Sequence, residues 1–457
     1  MIRFPITQAY LFETYNMINS QDIAKKYFKT WSFIFFMLMG SLLLSNGFYL
    51  KGLEPLLTPN DRLSAAGAAV LLMICAFLWF AQKARMTEAI CSRYGLMIIG
   101  FFICIHFSTF VIGGLVEHRQ PIFHSGLVLT RIYAGLLVFF CLAVLCKTDK
   151  LFFVLHKFIL IFGIIWLLFF CLAYISPDFC SQFYKTPGKN FQIRLDTVRF
   201  TPPAGVRVAI MYTCFYSLIR FMQATKFNNI YWLFIYIIGV FDFFFVCMLR
   251  RYCIALVLIP IFYILTFMNM TKKVLLSSGI VIAAIVMISF PALTERAFWI
   301  VESVIDQASS SRKTSVNIRT SAFEYYFPEL KRSAYIGYGY YAPEMTSVDS
   351  RLAYGQGIGY YEGDLGIFMA FLMYGIQAII WSAVMYYLIL KNLIRAKFLH
   401  TQMNSIKNAL LVTFLWPLLS LHTFTWGYHE AFWWGIMIFM AYYVTFVSTN
   451  STPQQKK

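Results

Sequence analysis

The chain has 457 residues, of which 60% are hydrophobic, 19% aromatic and only 13% charged, and its mean hydropathy is +0.67. A soluble domain carries about a quarter charged residues, so this composition excludes an ordinary water-soluble enzyme and points to an integral membrane protein. The net charge of +18 does not indicate a nucleic-acid partner, because the basic residues sit mostly in short loops between apolar runs, where they set topology.

A hydrocarbon core of about 30 Å needs roughly 20 apolar residues in helical form, and a helix satisfies its own backbone where lipid offers no partner. Residues 1–29 are polar and end in Lys25, Lys26 and Lys29, which keep this segment cytoplasmic as an uncleaved anchor follows. Spans are expected near 30–50, 63–82, 94–115, 125–146, 158–176, 206–224, 230–249, 252–270, 274–293, 365–390, 409–425 and 431–448. The expected architecture is all-α and polytopic, with about 12 transmembrane helices. It divides into a cytoplasmic segment (1–29), helices 1 to 9 with an external loop at 177–205 (30–293), a large, partly helical external loop (294–361), and helices 10 to 12 with a cytoplasmic tail (362–457).

Charge placement orients this layout. With both termini inside, 19 of the 38 Lys and Arg fall in cytoplasmic segments and five in short outer loops; long loops are exempt from the rule. The ten cysteines are scattered singly, with neither a disulfide framework nor zinc-ligand spacing. No metal or cofactor is expected.

The large loop is polar by contrast. Nine of the twenty acidic residues lie between Glu295 and Asp364. Residues 295–308 place Phe298, Val301 and Ile305 on one stripe, as for a helix lying on a surface. Residues 317–327 suit a second helix, capped by Asn317 and ended by Pro328, and the glycines at 337 and 339 then demand a turn. Tyr335, Tyr338 and Tyr340 offer flat faces to a sugar ring, while Tyr360 and Tyr361 fit an interfacial aromatic belt. Asp364, Glu362 and Glu324 are candidate general bases. Each also has a structural reading: Asp364 as a helix N-cap, Glu324 as an ion pair with Arg319. His422 and His429 fit the membrane interface.

Four arginines are expected near the outer leaflet: Arg131 in the fourth span, Arg207 at the start of the sixth, and Arg250 and Arg251 between the seventh and eighth. Arg199, with Arg194, Lys185 and Lys189, extends this positive field into the first external loop. A charge in a membrane helix costs about 2.5–3.5 kcal/mol on insertion scales, so such residues are paired or functional. Guanidinium groups grip phosphate oxygens bidentately. One reading has these arginines binding a lipid diphosphate; the other has them contacting lipid headgroups, with Arg131 paired to Asp242.

The stretch NIRTSAFEYYFPELKRSAYIGYGY (317–340) resembles the signature of the O-antigen polymerase and ligase superfamily, in which an Arg opens a loop helix, an aromatic follows, and a small-residue G-x-G comes after a helix-ending segment. Here those positions are Arg319, Phe323, Gly337 and Gly339. RFTPPAGVRVAI (199–210), LRRYCIAL (249–256) and EGDLGIFMAFLMYGI (362–376), with Asp364 and Gly375, are similar to further family segments, so the likeness covers roughly residues 190–390. The resemblance implies a metal-independent inverting glycosyltransferase of the bacterial cytoplasmic membrane, acting on undecaprenyl diphosphate-linked oligosaccharide at the outer face. Expected partners are that lipid, the bilayer and a chain-length regulator. Arg207, Arg250, Arg251, Arg131 and Arg199 would bind diphosphate, and Arg319, Asp364 and Glu324 would carry catalysis. Ligases of the family have a His in the large loop, whereas 294–361 has none; this favours a polymerase over a ligase. A lipid-linked sugar flippase is the alternative from another class. The family has an Asn after Pro in the first external loop; this chain has Ala204 after Pro202 and Pro203.

Overall fold

A computed structural model describes residues 29–44, 62–110, 122–146, 149–183, 191–194, 197–200, 204–223, 230–247, 250–267, 315–337, 339, 367–398, 401–419 and 430–451, with isolated helical positions at 270 and 274. The expected ninth span and the first loop helix (295–308) lie outside the described residues.

The described chain is helical. In order come α1 (Lys29–Leu44), α2 (Arg62–Ala81), α3 (Lys83–Cys91) and α4 (Arg93–Ser108). Next, α5 (Ile122–Tyr133) passes through a 3-10 turn (Ala134–Leu137) into α6 (Val138–Leu145). Then follow α7 (Asp149–Ile175) and the short α8 (Pro177–Phe183). After a hairpin, the chain continues with α9 (Arg207–Gln223), α10 (Ile230–Phe241) with its π-helical extension (Asp242–Cys247), and α11 (Arg250–Phe267). The last helices are α12 (Ser315–Arg332), α13 (Ile367–Arg395), α14 (Thr401–Leu419) and α15 (Ala431–Ser451).

Among the described residues, four helices are long and apolar enough to cross a membrane, or five if α2 and α3, bent by 115° at Gln82, count as one span. The bend lays α3 across the end of α2, with Met86 and Ala89 buried beneath it. The segment between α8 and α9 adds to the helical pattern a short antiparallel hairpin, β1 (Phe191–Arg194) on β2 (Thr197–Phe200), in register Phe191 to Phe200. Its strands alternate apolar and polar residues, the period a half-buried strand needs.

The core sits around α9, which packs against α7, α10 and α14. Eleven of its residues are buried, so it has no solvent face. Lipid chains are as apolar as leucine, so helices in a bilayer gain by close approach rather than by escape from water. Gly163 of α7 supplies one such approach: a Cβ there would overlap Thr213 Oγ1 of α9. Gly135 supplies another, since any side chain would strike the backbone nitrogen of Phe432 at the start of α15. Outward-facing Phe77, Phe80, Ile161, Phe234 and Ile237 are left exposed for lipid.

The second loop helix departs from its sequence reading. Pro328 does not end it; α12 begins at Ser315, two residues before Asn317, and runs on to Arg332. Proline forfeits its bond to the carbonyl four residues back, that of Glu324, and both residues lie on the exposed side. Tyr326 and Leu330, each fully buried, hold the helix on either side of the lost bond.

Candidate functional site

The arginine corner is built by helix starts. Arg207 opens α9, and Arg250 and Arg251 open α11, immediately before Tyr252. Arg207 Nη1 lies 3.4 Å from the Tyr252 hydroxyl, and its guanidinium carbon 5.7 Å from the centre of that ring. Tyr252 is itself fixed between Phe243 (5.2 Å, nearly parallel) and Trp416 of α14 (5.2 Å). The two helix starts therefore bring three arginines to one corner. Strand β2, which carries Arg199, lies against the π-helical turn Asp242–Cys247 beside it.

Each of these arginines sits at the positive end of a helix dipole, where a cation is disfavoured by about 0.3–1 kcal/mol. An anion is what such an end attracts. An acid acts on this corner: Glu430, just before α15, is only 2% exposed and close enough to act electrostatically on both Arg207 and Tyr386 of α13. Arg207 remains half-buried, so the corner is not sealed by protein.

Depth follows from the helical rise of 1.5 Å. Thr213 reaches the carbonyl of Ile159 and faces Gly163, which puts Arg207, six residues earlier, about level with Leu167–Phe169 of α7. Phe200 of β2 rests on Phe169 and Phe170, at the same height. Since α7 continues to Ile175, Arg207 lies roughly 10 Å short of its C-terminal end. Trp433 packs on Phe158 and Phe162, so the start of α15 and Glu430 are lower still. Arg207 is recessed within the bundle, short of the C-terminal end of α7.

Arg131 stands elsewhere, in the last turn of α5, half-buried and one turn before Gly135, on another flank of the α15 start. Its proposed partner is engaged otherwise: Asp242, fully buried, accepts from Cys171 Sγ at 3.5 Å, while its second oxygen has no partner among the described residues. Arg319 falls in the first half of α12, and Glu324 on the same helix is exposed. Tyr335, just past α12, is 43% exposed, so its ring is free to be covered. Asp364, Glu362, Tyr338, Tyr340, His422 and His429 lie outside the described residues. No group of three or more metal-ligating side chains occurs among the described residues.

A second junction joins the end of α12 to the membrane helices. The chain leaves α12 with Ala334 (φ 50) and Tyr335 (φ 62) in the left-handed region, followed by Gly337 (φ 94) and Gly339 (φ 82). Helix α13 is broken at Gly375 (φ 75, ψ −171). The break releases three backbone groups, and each finds a partner outside α13. Ile376 N–H donates to Tyr335 O (3.0 Å), Gly339 N–H donates to Met373 O (2.8 Å), and Tyr374 O lies 3.0 Å from Ser108 Oγ at the end of α4. The Gln377 amide donates to Ser108 Oγ (2.6 Å) and to Ile336 O (2.7 Å). Any side chain at Gly375 would collide with the Ile336 carbonyl, and any at Gly337 with Met373 O. The three glycines of the family-like segments thus meet at one point.

Sequence reasoning missed Glu430, Tyr252, Ser108 and Gln377. Glu430 reads as a loop acid, and nothing local announces its burial. Gln377 did carry a signal, as a lone amide in an apolar span. No family model, curated protein or solved structure matches the chain.

Proposed function

We propose that this protein is a polysaccharide polymerase with twelve spans and cytoplasmic termini, transferring a growing glycan from undecaprenyl diphosphate to an incoming lipid-linked repeat unit at the outer face of the bacterial inner membrane. The reading rests on the resemblance of residues 317–340 and its neighbours to the O-antigen polymerase and ligase superfamily. The observation that carries it is the recessed Arg207, which opens α9 and meets Tyr252 near the start of α11, the helix that positions 250 and 251 open. Cations at the positive ends of dipoles, sunk in an apolar bundle, suit a ligand with several negative charges whose tail lies in lipid.

The chemistry asked of such a corner is modest. An acceptor sugar hydroxyl attacks the anomeric carbon, the bond to the diphosphate oxygen breaks with inversion, and the diphosphate leaves as an anion. Guanidinium groups positioned on that diphosphate lower the barrier by stabilising charge as it develops, and holding the two sugars in line supplies the rest. Asp364 or Glu324 takes the hydroxyl proton. Arg131, Arg199 and Arg319 assist in holding the lipid-linked chain, and Tyr335, Tyr338 and Tyr340 in holding sugar.

The test is the surface polysaccharide of a deletion strain, separated on a gel. A single repeat unit on the lipid core is the expected result. Lipid-linked polymer left unattached would instead identify a ligase, and intermediates held on the inner leaflet a flippase; either outcome overturns the polymerase reading.

A further inference from the structure

We propose that the docking of Gly337 and Gly339 into the break of α13 is a latch that registers α12 on the membrane helices, and that Ser108 and Gln377 are positioning residues for glycan transfer; this rests on the polymerase reading. The latch is reciprocal. A helix inside an apolar phase cannot release backbone groups without replacing their partners, and the break at Gly375 frees Met373 O, Tyr374 O and Ile376 N–H. Gly339, Ser108 and Tyr335 replace them. Four described residues of the segment after α12, Ala334, Tyr335, Gly337 and Gly339, are left-handed, a conformation that a non-glycine residue adopts only where its surroundings compel it. Each half is therefore irregular alone and satisfied only against the other.

The Gln377 amide and the Ser108 hydroxyl hold the centre. Ser108 has one proton and three carbonyls in reach, Ile336 O at 2.8 Å, Tyr374 O at 3.0 Å and Cys104 O of its own helix at 3.3 Å, and the Gln377 amide serves Ile336 O as well as Ser108 Oγ. Three parts of the chain distant in sequence, α4, the segment after α12 and α13, meet on these two side chains. Along α12 the same docking is continued by Phe323 against Phe368, ring centres 5.0 Å apart. The helix that bears Arg319 and Glu324 is fixed by this junction, and its register determines where those residues stand. Neither Ser108 nor Gln377 touches a reacting atom; both act through α12.

The experiment introduces Phe323→Cys with Phe368→Cys and follows oxidative cross-linking of α12 to α13 by peptide mapping. It is run in otherwise native protein, in Ser108→Ala, in Ser108→Thr and in Gln377→Leu, with protein level followed by immunoblot. Polymerisation of a synthetic lipid-linked repeat unit is measured in parallel. Cross-linking is expected to slow about tenfold in Ser108→Ala and Gln377→Leu, and the maximal rate to fall by up to about 100-fold with KM unchanged, as for misplaced catalytic groups. Ser108→Thr retains both, and oxidising the cysteine pair in Gln377→Leu restores most of the lost rate. Native cross-linking in Ser108→Ala and Gln377→Leu, or slowed cross-linking with an unchanged maximal rate, overturns the proposal. Failure of the polymerase reading is read separately, from the deletion strain, while the cross-linking rate still reports on the latch.

Discussion

At the scale of single residues, Arg207 is the side chain whose surroundings are most fully determined. Its neighbours separate three contributions: charge on a ligand, a hydrogen bond to Tyr252, and packing over that ring. Arg207→Lys keeps the charge but loses the planar fork, so bidentate grip on phosphate is lost while the fold persists. We expect Arg207→Ala to abolish polymer, and Arg207→Lys to lower polymer synthesis about 10- to 100-fold, as loss of a bidentate contact does, with membrane levels of both proteins unchanged. Tyr252→Phe keeps the stacking on Phe243 and Trp416 and should lose less than about tenfold. Gel profiles from complemented deletion strains check all three; full-length polymer in Arg207→Ala would remove Arg207 from the site. Arg207, Arg250 and Arg251 were legible in the sequence, because guanidinium groups beside apolar runs are conspicuous. Glu430 was not, since its burial is decided by how deep α15 starts, a tertiary fact.

At the scale of elements, sequence reasoning placed helices well and their irregularities poorly. Apolar runs announced α9 and α15 within a few residues, because the hydrocarbon core imposes length, and they announced the end of α7 but not its start, Asp149 rather than 158. The break at Gly375 and the 3-10 turn at Ala134–Leu137 left no hydropathy signal, as both replace backbone bonds without changing composition. The same blindness let Pro328 be read as a terminus, when buried Tyr326 and Leu330 carry α12 past it. The 3-10 turn supports a prediction of its own. Gly135 meets the backbone of Phe432, and Gly435 in turn lies against Val138 and the Gly135 carbonyl, so the two chains touch without intervening side chains. Gly135→Val must push α15 outward, an overpacking whose usual penalty is about 1–3 kcal/mol or more. The expected outcome is a thermal midpoint in detergent lowered by several degrees, with lower yield. Gly95→Val makes no useful control, because its Cβ would overlap the Ala89 carbonyl; Ala66→Val, at an exposed position on α2, does.

At the scale of the whole molecule, the question is whether the pieces of the site share one side of the membrane. Packing joins them in two groups. Helices α7, α9, α10, α11 and α14 hold the arginine corner; α4 and α13, with the segment after α12, hold the latch; and α15 touches both, through α13 and through the start of α9. The distribution of Lys and Arg would put the α11 start outside and the ends of α13 and α15 inside; the Lys397 amide donates to Ser448 Oγ, and Tyr94 bonds Asn392 and Thr445, so the start of α4 and the ends of α13 and α15 lie together. A bilayer-impermeant thiol reagent turns this into a measurement. With single cysteines introduced as Arg250→Cys, Arg319→Cys and Lys397→Cys, and exposed native Cys91 on α3 as an inner-face reference, intact cells should label positions 250 and 319 only. Positions 397 and 91 should react only after the membrane is opened. Labelling of 250 and 319 from opposite sides would leave no common pocket for a diphosphate, since charged groups on α11 and α12 would then be separated by the full hydrocarbon thickness of about 30 Å. Residues that far apart cannot hold one leaving group, whatever the resemblance of their sequences.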